Sequence, residues 1–396
     1  MSTATKLPPS SPIFPYPKTE RQATFIALAD QLAAEAAAQA PANDRDNSFP
    51  HDTFACLREA GYLALTVPEA AGGRGATAIE LMLAQERLAR GDGSVALSST
   101  MHLTIVGGLA AARPWPEPLF ARLCREIVVD GALINTAASE PDLGSPSRGG
   151  PFATTATAVP GGWRLDGRKT WATLSPALRY AIVQATVLQG EAPPGRGSFL
   201  VPLTTDGVQV EETWDNLAMR GTGSNDLVLD GVFVPGDSRL PDGPGPVSGN
   251  WALVTSAVYL GIAVAARDFA VDYAVNRRPS GLGESIATLQ TVQHRIAQME
   301  ILLFQARSVL YGAAETYEAR PDLRPALAWQ FAAAKYTATN HAIKVTDLAL
   351  RVVGSMGLSR RLPLERYFRD VRAGTGNPPL DDVALTLIGK SALGIS

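Results

Sequence analysis

The residues that could do chemistry fall into four groups. The first is a pair of segments, Ala138 to Ser145 and Gly167 to Thr173. One is turn-rich and bears hydroxyls at Ser139 and Ser145 around Glu140-Pro141. The other enters a strand with one large aromatic, Trp171, flanked by Thr170 and Thr173. Backbone donors and hydroxyls beside an aromatic wall suit a flat polar ligand; taken singly, Glu140-Pro141 is a plain turn and Trp171 a core aromatic. The second group is Asp381-Asp382. Carboxylates can take a proton from a substrate they reach, and they also start helices, where they cap free N–H groups and complement the dipole. The third is His102, within an apolar helical run: a base beside a substrate channel, or a core residue with its ring nitrogens satisfied. The fourth is Arg277-Arg278, whose first guanidinium fork could pair two phosphate oxygens or cap a helix C-terminus.

Other chemistries find no support. The four histidines show no ligand spacing, which argues against a zinc or di-iron site. Gly281-Leu282-Gly283-Glu284 lacks the third glycine of a dinucleotide cradle. With 46% hydrophobic residues and net charge −3, the composition is that of an ordinary globular chain. Its basic residues are scattered, so no nucleic-acid partner is expected. No apolar run is expected to reach membrane-spanning length. The Ser- and Pro-rich start has no basic segment followed by an apolar one, and reads as a loose arm over residues 1–20 rather than a secretory signal. Cys56 and Cys124 sit in helical patterns as buried free thiols and fit a reducing cytoplasm.

The elements that must position these groups change character twice. Over residues 21–129, apolar residues recur at helical steps, as in Phe25, Leu28, Leu32 and Ala36, and Val95 to Ala111 is apolar on nearly all sides. Over 130–238 come short strand-like runs bounded by Gly, Pro or Asp, which predict a compact antiparallel β domain. Over 239–396 long periodic segments return and predict a helical bundle, interrupted by a glycine-bearing stretch from Arg351 to Pro379.

The α, β, α-bundle order, with the segments around Ser139 and Trp171, resembles the acyl-CoA dehydrogenase superfamily over essentially the whole chain after about residue 20. The resemblance implies an α+β multidomain fold: an N-terminal helical domain, a central antiparallel β-barrel domain and a C-terminal four-helix bundle. It implies bound FAD, with Thr136, Ala138 and Ser139 lining the ring, Trp171 shielding one edge and Thr173 placing its hydroxyl near N5. Ser145 would contact both cofactor and substrate, and His102 would lie near the substrate channel. Arg277 and Gln290 would serve the dinucleotide half of a neighbouring subunit's FAD, with Arg351 and Ser355 in a second stretch. There the family's Gln-x-x-Gly-Gly-x-Gly departs to Arg351-Val-Val-Gly354-Ser355-Met356-Gly357. Such sharing makes the protein at least a dimer, and the resemblance implies the family's homotetramer.

The resemblance also implies a catalytic Glu shortly after an Arg-Asp pair. The pair is Arg369-Asp370, but the expected position falls at about Asn377 or Pro378, and no Glu follows Glu365. The alternative place for a base, near Trp251 and Ala252, has no carboxylate either. Asp381 and Asp382 are the remaining candidates. The leading expectation is oxidation of an acyl-CoA at its α,β carbon–carbon bond, with electrons passing to an electron-transfer flavoprotein. The alternative is a flavin-dependent monooxygenase on the same fold, which needs no α-proton base. Nitroalkane oxidation and a non-enzymatic flavin scaffold are further options.

Overall fold

The computed structural model describes residues 15–143, 150–241 and 250–395. The N-terminal region is α1 (Glu20–Asp46), α2 (His51–Glu59), α3 (Ala78–Gly91), α4 (Gly93–Ala112) and α5 (Glu117–Asp130). Its helices start where side chains satisfy the first free N–H groups. Thr77 and Glu80 form a reciprocal capping box on α3, and the Asp92 carboxylate accepts from the N–H groups of Ser94 and Val95 on α4. Tyr16 is buried and donates to Glu315 at 2.5 Å, so within the expected loose arm the chain is packed on the bundle from that residue onward.

The central sheet has seven strands: β1 (Leu133–Ala137), β2 (Thr155–Val159), β3 (Gly162–Ala172), β4 (Leu178–Leu188), β5 (Gly195–Pro202), β6 (Val208–Glu211) and β7 (Asn225–Pro235). Its path is β1-β4-β2-β3-β7-β6, with β5 on the other edge of β4. The sheet is mixed rather than wholly antiparallel, because β1 and β2 both pair in parallel with β4. Short apolar runs show that strands exist but carry no sign of their direction. The β3–β7 ladder slips twice, between Leu165 and Gly167 and between Lys169 and Ala172. The second bulge turns Trp171 out of the sheet.

The C-terminal region is α6 (Trp251–Asn276), α7 (Gln290–Ala319), α8 (Ala328–Val353), α9 (Leu364–Asp370), α10 (Ala373–Gly376) and α11 (Asp381–Leu393). α6 is the spine of the molecule, buried from Leu253 to Arg267. It approaches α3 so closely that a Cβ at Gly261 would lie 2.1 Å from the Glu86 carbonyl, so only glycine fits there. One expectation is corrected here. α4 and α6 are both long and apolar enough to cross a membrane, but 67% and 78% of their apolar windows are packed inside the protein. Their all-round hydrophobicity is that of core helices.

Of the two readings of His102, the structure follows the core residue with satisfied ring nitrogens rather than the base beside a substrate. It is fully buried between the N-terminal helices and the sheet, with Nε2 2.9 Å from the Leu63 carbonyl and Nδ1 accepting from Ile134 N–H at 3.2 Å. These two bonds fix the tautomer, with the hydrogen on Nε2, and tie α4 to β1. Burial pushes its pKa down to about 4. The folded ring therefore stays neutral while the unfolded ring protonates below about pH 6.5. Stability from this group is fully present above that pH and is lost as pH falls toward 4, by about 3 kcal/mol. Urea unfolding between pH 7 and 4 should show this loss in the parent protein, and a smaller one in His102→Asn.

Candidate active site

The first active-site segment is built on a buried ion pair. Lys169 Nζ lies 2.7 Å from Glu140 Oε1, with side chains 0% and 2% exposed. Lys169 occupies an inward position of β3, and its ammonium also sits over the Phe152 ring. The Glu140 carboxylate further accepts from Ala153 N–H at 2.6 Å and Thr154 N–H at 2.9 Å. Burial alone would raise the Glu140 pKa, but the bonds from Lys169, Thr154 and Ala153 hold it below the ordinary range. Burial lowers that of Lys169, with Glu140 opposing. The turn after β1 is thereby pinned to β3, and Thr170 N–H adds a bond to the Ser139 carbonyl at 2.9 Å.

Around this pin stand the predicted ring-binding residues. Trp171 is 61% exposed and has φ 58°, a left-handed backbone that costs an ordinary residue about 1–2 kcal/mol. It is not the core aromatic that its strand suggests. Trp214 meets it edge to face at 5.0 Å and braces the indole without covering it. Thr136 lies on β1, and its buried hydroxyl has no hydrogen-bond partner among the described residues. Ala138 and Ser139 follow on the pinned turn. Thr173 Oγ1 lies 2.8 Å from Ser224 Oγ. Asn135 Nδ2 donates to the Thr173 carbonyl at 2.9 Å and joins β1 to the bulge. A strained, exposed indole beside an orphaned buried hydroxyl is a surface made for a flat, hydrogen-bonding group. Ser145 lies outside the described residues.

The dinucleotide residues collect elsewhere, at one end of the bundle. Arg277 closes α6, Gln290 opens α7, and Arg351 and Ser355 lie at the end of α8 and just beyond it. All four are exposed. Arg295 of α7 donates to the Arg351 carbonyl at 2.7 Å, which holds the helix ends together. The Arg351 guanidinium pairs with Asp347. Among the described residues, no hydrogen bond or ion pair joins this group to the Trp171 group.

Asp381 and Asp382 occupy the first turn of α11. The Asp381 carboxylate accepts from buried Lys335 at 3.2 Å and from Asn340 at 3.0 Å. Asp382 Oδ1 accepts from Val383 N–H within its own turn. Neither is presented as a free base: α11 has no side-chain cap, and the two acids add negative charge to its first turn while Asp381 ties it to α8.

Sequence profiles of the acyl-CoA dehydrogenase N-terminal, middle and C-terminal domains match residues 19–112, 135–232 and 250–392. A protein named putative acyl-CoA dehydrogenase YdbM, from Bacillus subtilis strain 168, is 41% identical over 95% of this chain and 98% of its own length. The chain belongs to the acyl-CoA dehydrogenase family. The amino sugar nitrososynthase DnmZ of Streptomyces peucetius is 31% identical over 90% of each chain. The structure of KijD3 with FMN and a dTDP-linked amino keto sugar superposes with a TM-score of 0.82 at 27% identity, covering 98% of this chain and 97% of that one.

Within this family the carboxylate position can be examined directly. From Val371 to Leu380 the chain carries no acid. Asn377 takes the neighbourhood instead and donates to the hydroxyl of Tyr259, a fully buried residue of α6. Asp370 is buried, its pKa pushed up to about 7 by burial, and its carboxylate receives Met219 N–H at 2.7 Å. It anchors the segment before β7.

Sequence reasoning missed Glu140 and Lys169 as a unit, along with Asn135. A lysine at an inward strand position was the available signal, because a buried cation must find an acid. Glu140→Gln should destabilise the protein by about 3–5 kcal/mol, since Lys169 is left buried without its partner. The double change Glu140→Gln with Lys169→Met should recover most of that loss in urea unfolding.

Proposed function

We propose that this protein is a flavin-dependent monooxygenase built on the acyl-CoA dehydrogenase fold, acting on a small organic substrate with reduced flavin and dioxygen. The carrying observation is the loop from Val371 to Leu380. It holds Asn377 against Tyr259 where the family keeps its proton-abstracting carboxylate, and the acids that follow are already engaged. Kinship with a protein named a nitrososynthase and likeness to KijD3 in complex with FMN and a dTDP-linked sugar support the reading.

Thr136, Ala138, Ser139, Trp171 and Thr173 would hold the flavin ring, which when bound supplies electrons to oxygen. Trp171 would shield one edge of the ring, the Thr136 hydroxyl would find a partner, and the pinned turn would supply fixed backbone donors. Arg277, Gln290, Arg351 and Ser355 sit at or just beyond the ends of α6, α7 and α8, apart in the fold from the β1 turn and the β3 bulge. They suit the dinucleotide half of FAD bound to a neighbouring copy in a homotetramer. Cys56 is half-buried rather than buried, and both cysteines are free, in keeping with a cytoplasmic setting.

A second reading is favoured by the 41% identity to a putative acyl-CoA dehydrogenase. In it the protein oxidises an acyl-CoA and passes electrons to an electron-transfer flavoprotein. Asp381 would then have to leave Lys335 and Asn340 to act as the base.

The two readings part in one experiment on the FAD-loaded protein. Anaerobic titration with a panel of acyl-CoAs should leave the visible flavin band intact, and the photoreduced protein should reoxidise rapidly on admission of air. Bleaching by any one acyl-CoA would overturn the monooxygenase reading.

A further inference from the structure

Behind the Trp171 bulge runs a chain of three hydroxyls whose direction is fixed at one end. Thr222 Oγ1 lies 2.9 Å from the Met219 carbonyl oxygen, which can only accept, so the single hydroxyl hydrogen of Thr222 is committed there. Ser224 Oγ lies 2.8 Å from Thr222 Oγ1 and 2.8 Å from Thr173 Oγ1. Two hydroxyl oxygens at that distance need one hydrogen between them. Thr222 has none left, so Ser224 donates to Thr222, and Thr173 in turn donates to Ser224. Thr222 and Ser224 are 1% and 4% exposed, which keeps bulk water from reversing the order. The anchor is itself fixed, because Met219 N–H donates to Asp370 and Trp214 Nε1 donates to the Met219 carbonyl.

We infer that Ser224 is a positioning residue which leaves the Thr173 hydroxyl able only to accept a hydrogen bond from the flavin, so that this site favours the reduced cofactor over the oxidised one. The inference rests on the flavin reading above. Reduced flavin carries a hydrogen on N5 that Thr173 can accept. Oxidised flavin presents a lone pair there, and two acceptors facing each other are unfavourable. A site that favours reduced flavin suits an enzyme that must hold it ready for oxygen.

The test is the affinity of the apo-protein for oxidised and for reduced FAD, measured separately under anaerobic conditions. Ser224→Ala frees the Thr173 hydrogen to point at N5. The preference for reduced over oxidised FAD should fall about tenfold, equivalent to a drop of about 30 mV in the two-electron midpoint potential. Thr222→Val should shift the preference in the same direction, because Ser224 then regains a free hydrogen, and Ser224→Thr should retain the parent ratio. In a Thr173→Ala background, Ser224→Ala should have no further effect on the ratio. Equal weakening of both oxidation states, or no change in either, would overturn the relay and leave Ser224 a packing residue. Neither measurement uses substrate or oxygen, so a failure here leaves the monooxygenase reading standing. Bleaching by an acyl-CoA would sink that reading without touching the ratio.

Discussion

Lys169 and Glu140 meet at 2.7 Å with almost no access to water, and a pair so placed matters more for what it organises than for its own energy. Desolvation consumes much of the Coulomb attraction between two buried ions, so the pair adds little net stability, but either charge alone would be intolerable. That asymmetry makes the contact obligatory. It fixes the turn after β1 against the end of β3, and the same carboxylate gathers Ala153 and Thr154 at the entry to β2. Ser139 and Trp171, each adjacent to one member of the pair or nearly so, inherit their positions from it. The strain at Trp171 is affordable because the backbone on either side is held.

The region around the missing base is not poor in carboxylates; its carboxylates are spent. Asp370 holds the backbone of Met219, Asp44 and Glu365 share the guanidinium of Arg369, and Asp381 answers a buried lysine. Each buried donor or cation in this zone would be costly without its acid. Recruiting one of these groups for proton abstraction would therefore leave a cation or an N–H unpaired in a low-dielectric setting. Oxygen chemistry on reduced flavin makes no such demand, which is why the energetics of the surroundings and the lack of an acid between Val371 and Leu380 point the same way.

Much of this was legible in the sequence, and the illegible part has a common cause. Helical periodicity marked α1, α7 and α8, a long unbroken apolar run marked α6, and the turn residues bounded the strands. The two segments around Ser139 and Trp171 were found by their resemblance to the acyl-CoA dehydrogenase family, since residue type alone read Trp171 as a core aromatic. What local pattern could not show was pairing across the chain. The parallel partners of β4 depend on crossovers, not on composition. His102 looked like a candidate base because its partners, Leu63 and Ile134, are remote in sequence. Asp381 looked available for the same reason, since Lys335 and Asn340 come from another helix. α9 escaped notice because seven residues give too little periodicity to read.

The account stands or falls on whether the buried pair builds the cofactor platform. The most direct measurement is the flavin content of purified Lys169→Met/Glu140→Gln protein at a temperature where circular dichroism shows it folded. The account predicts a folded protein that retains little flavin and takes up added FAD weakly, because the turn bearing Ser139 is no longer held beside Trp171. Full flavin occupancy in that folded variant would contradict it.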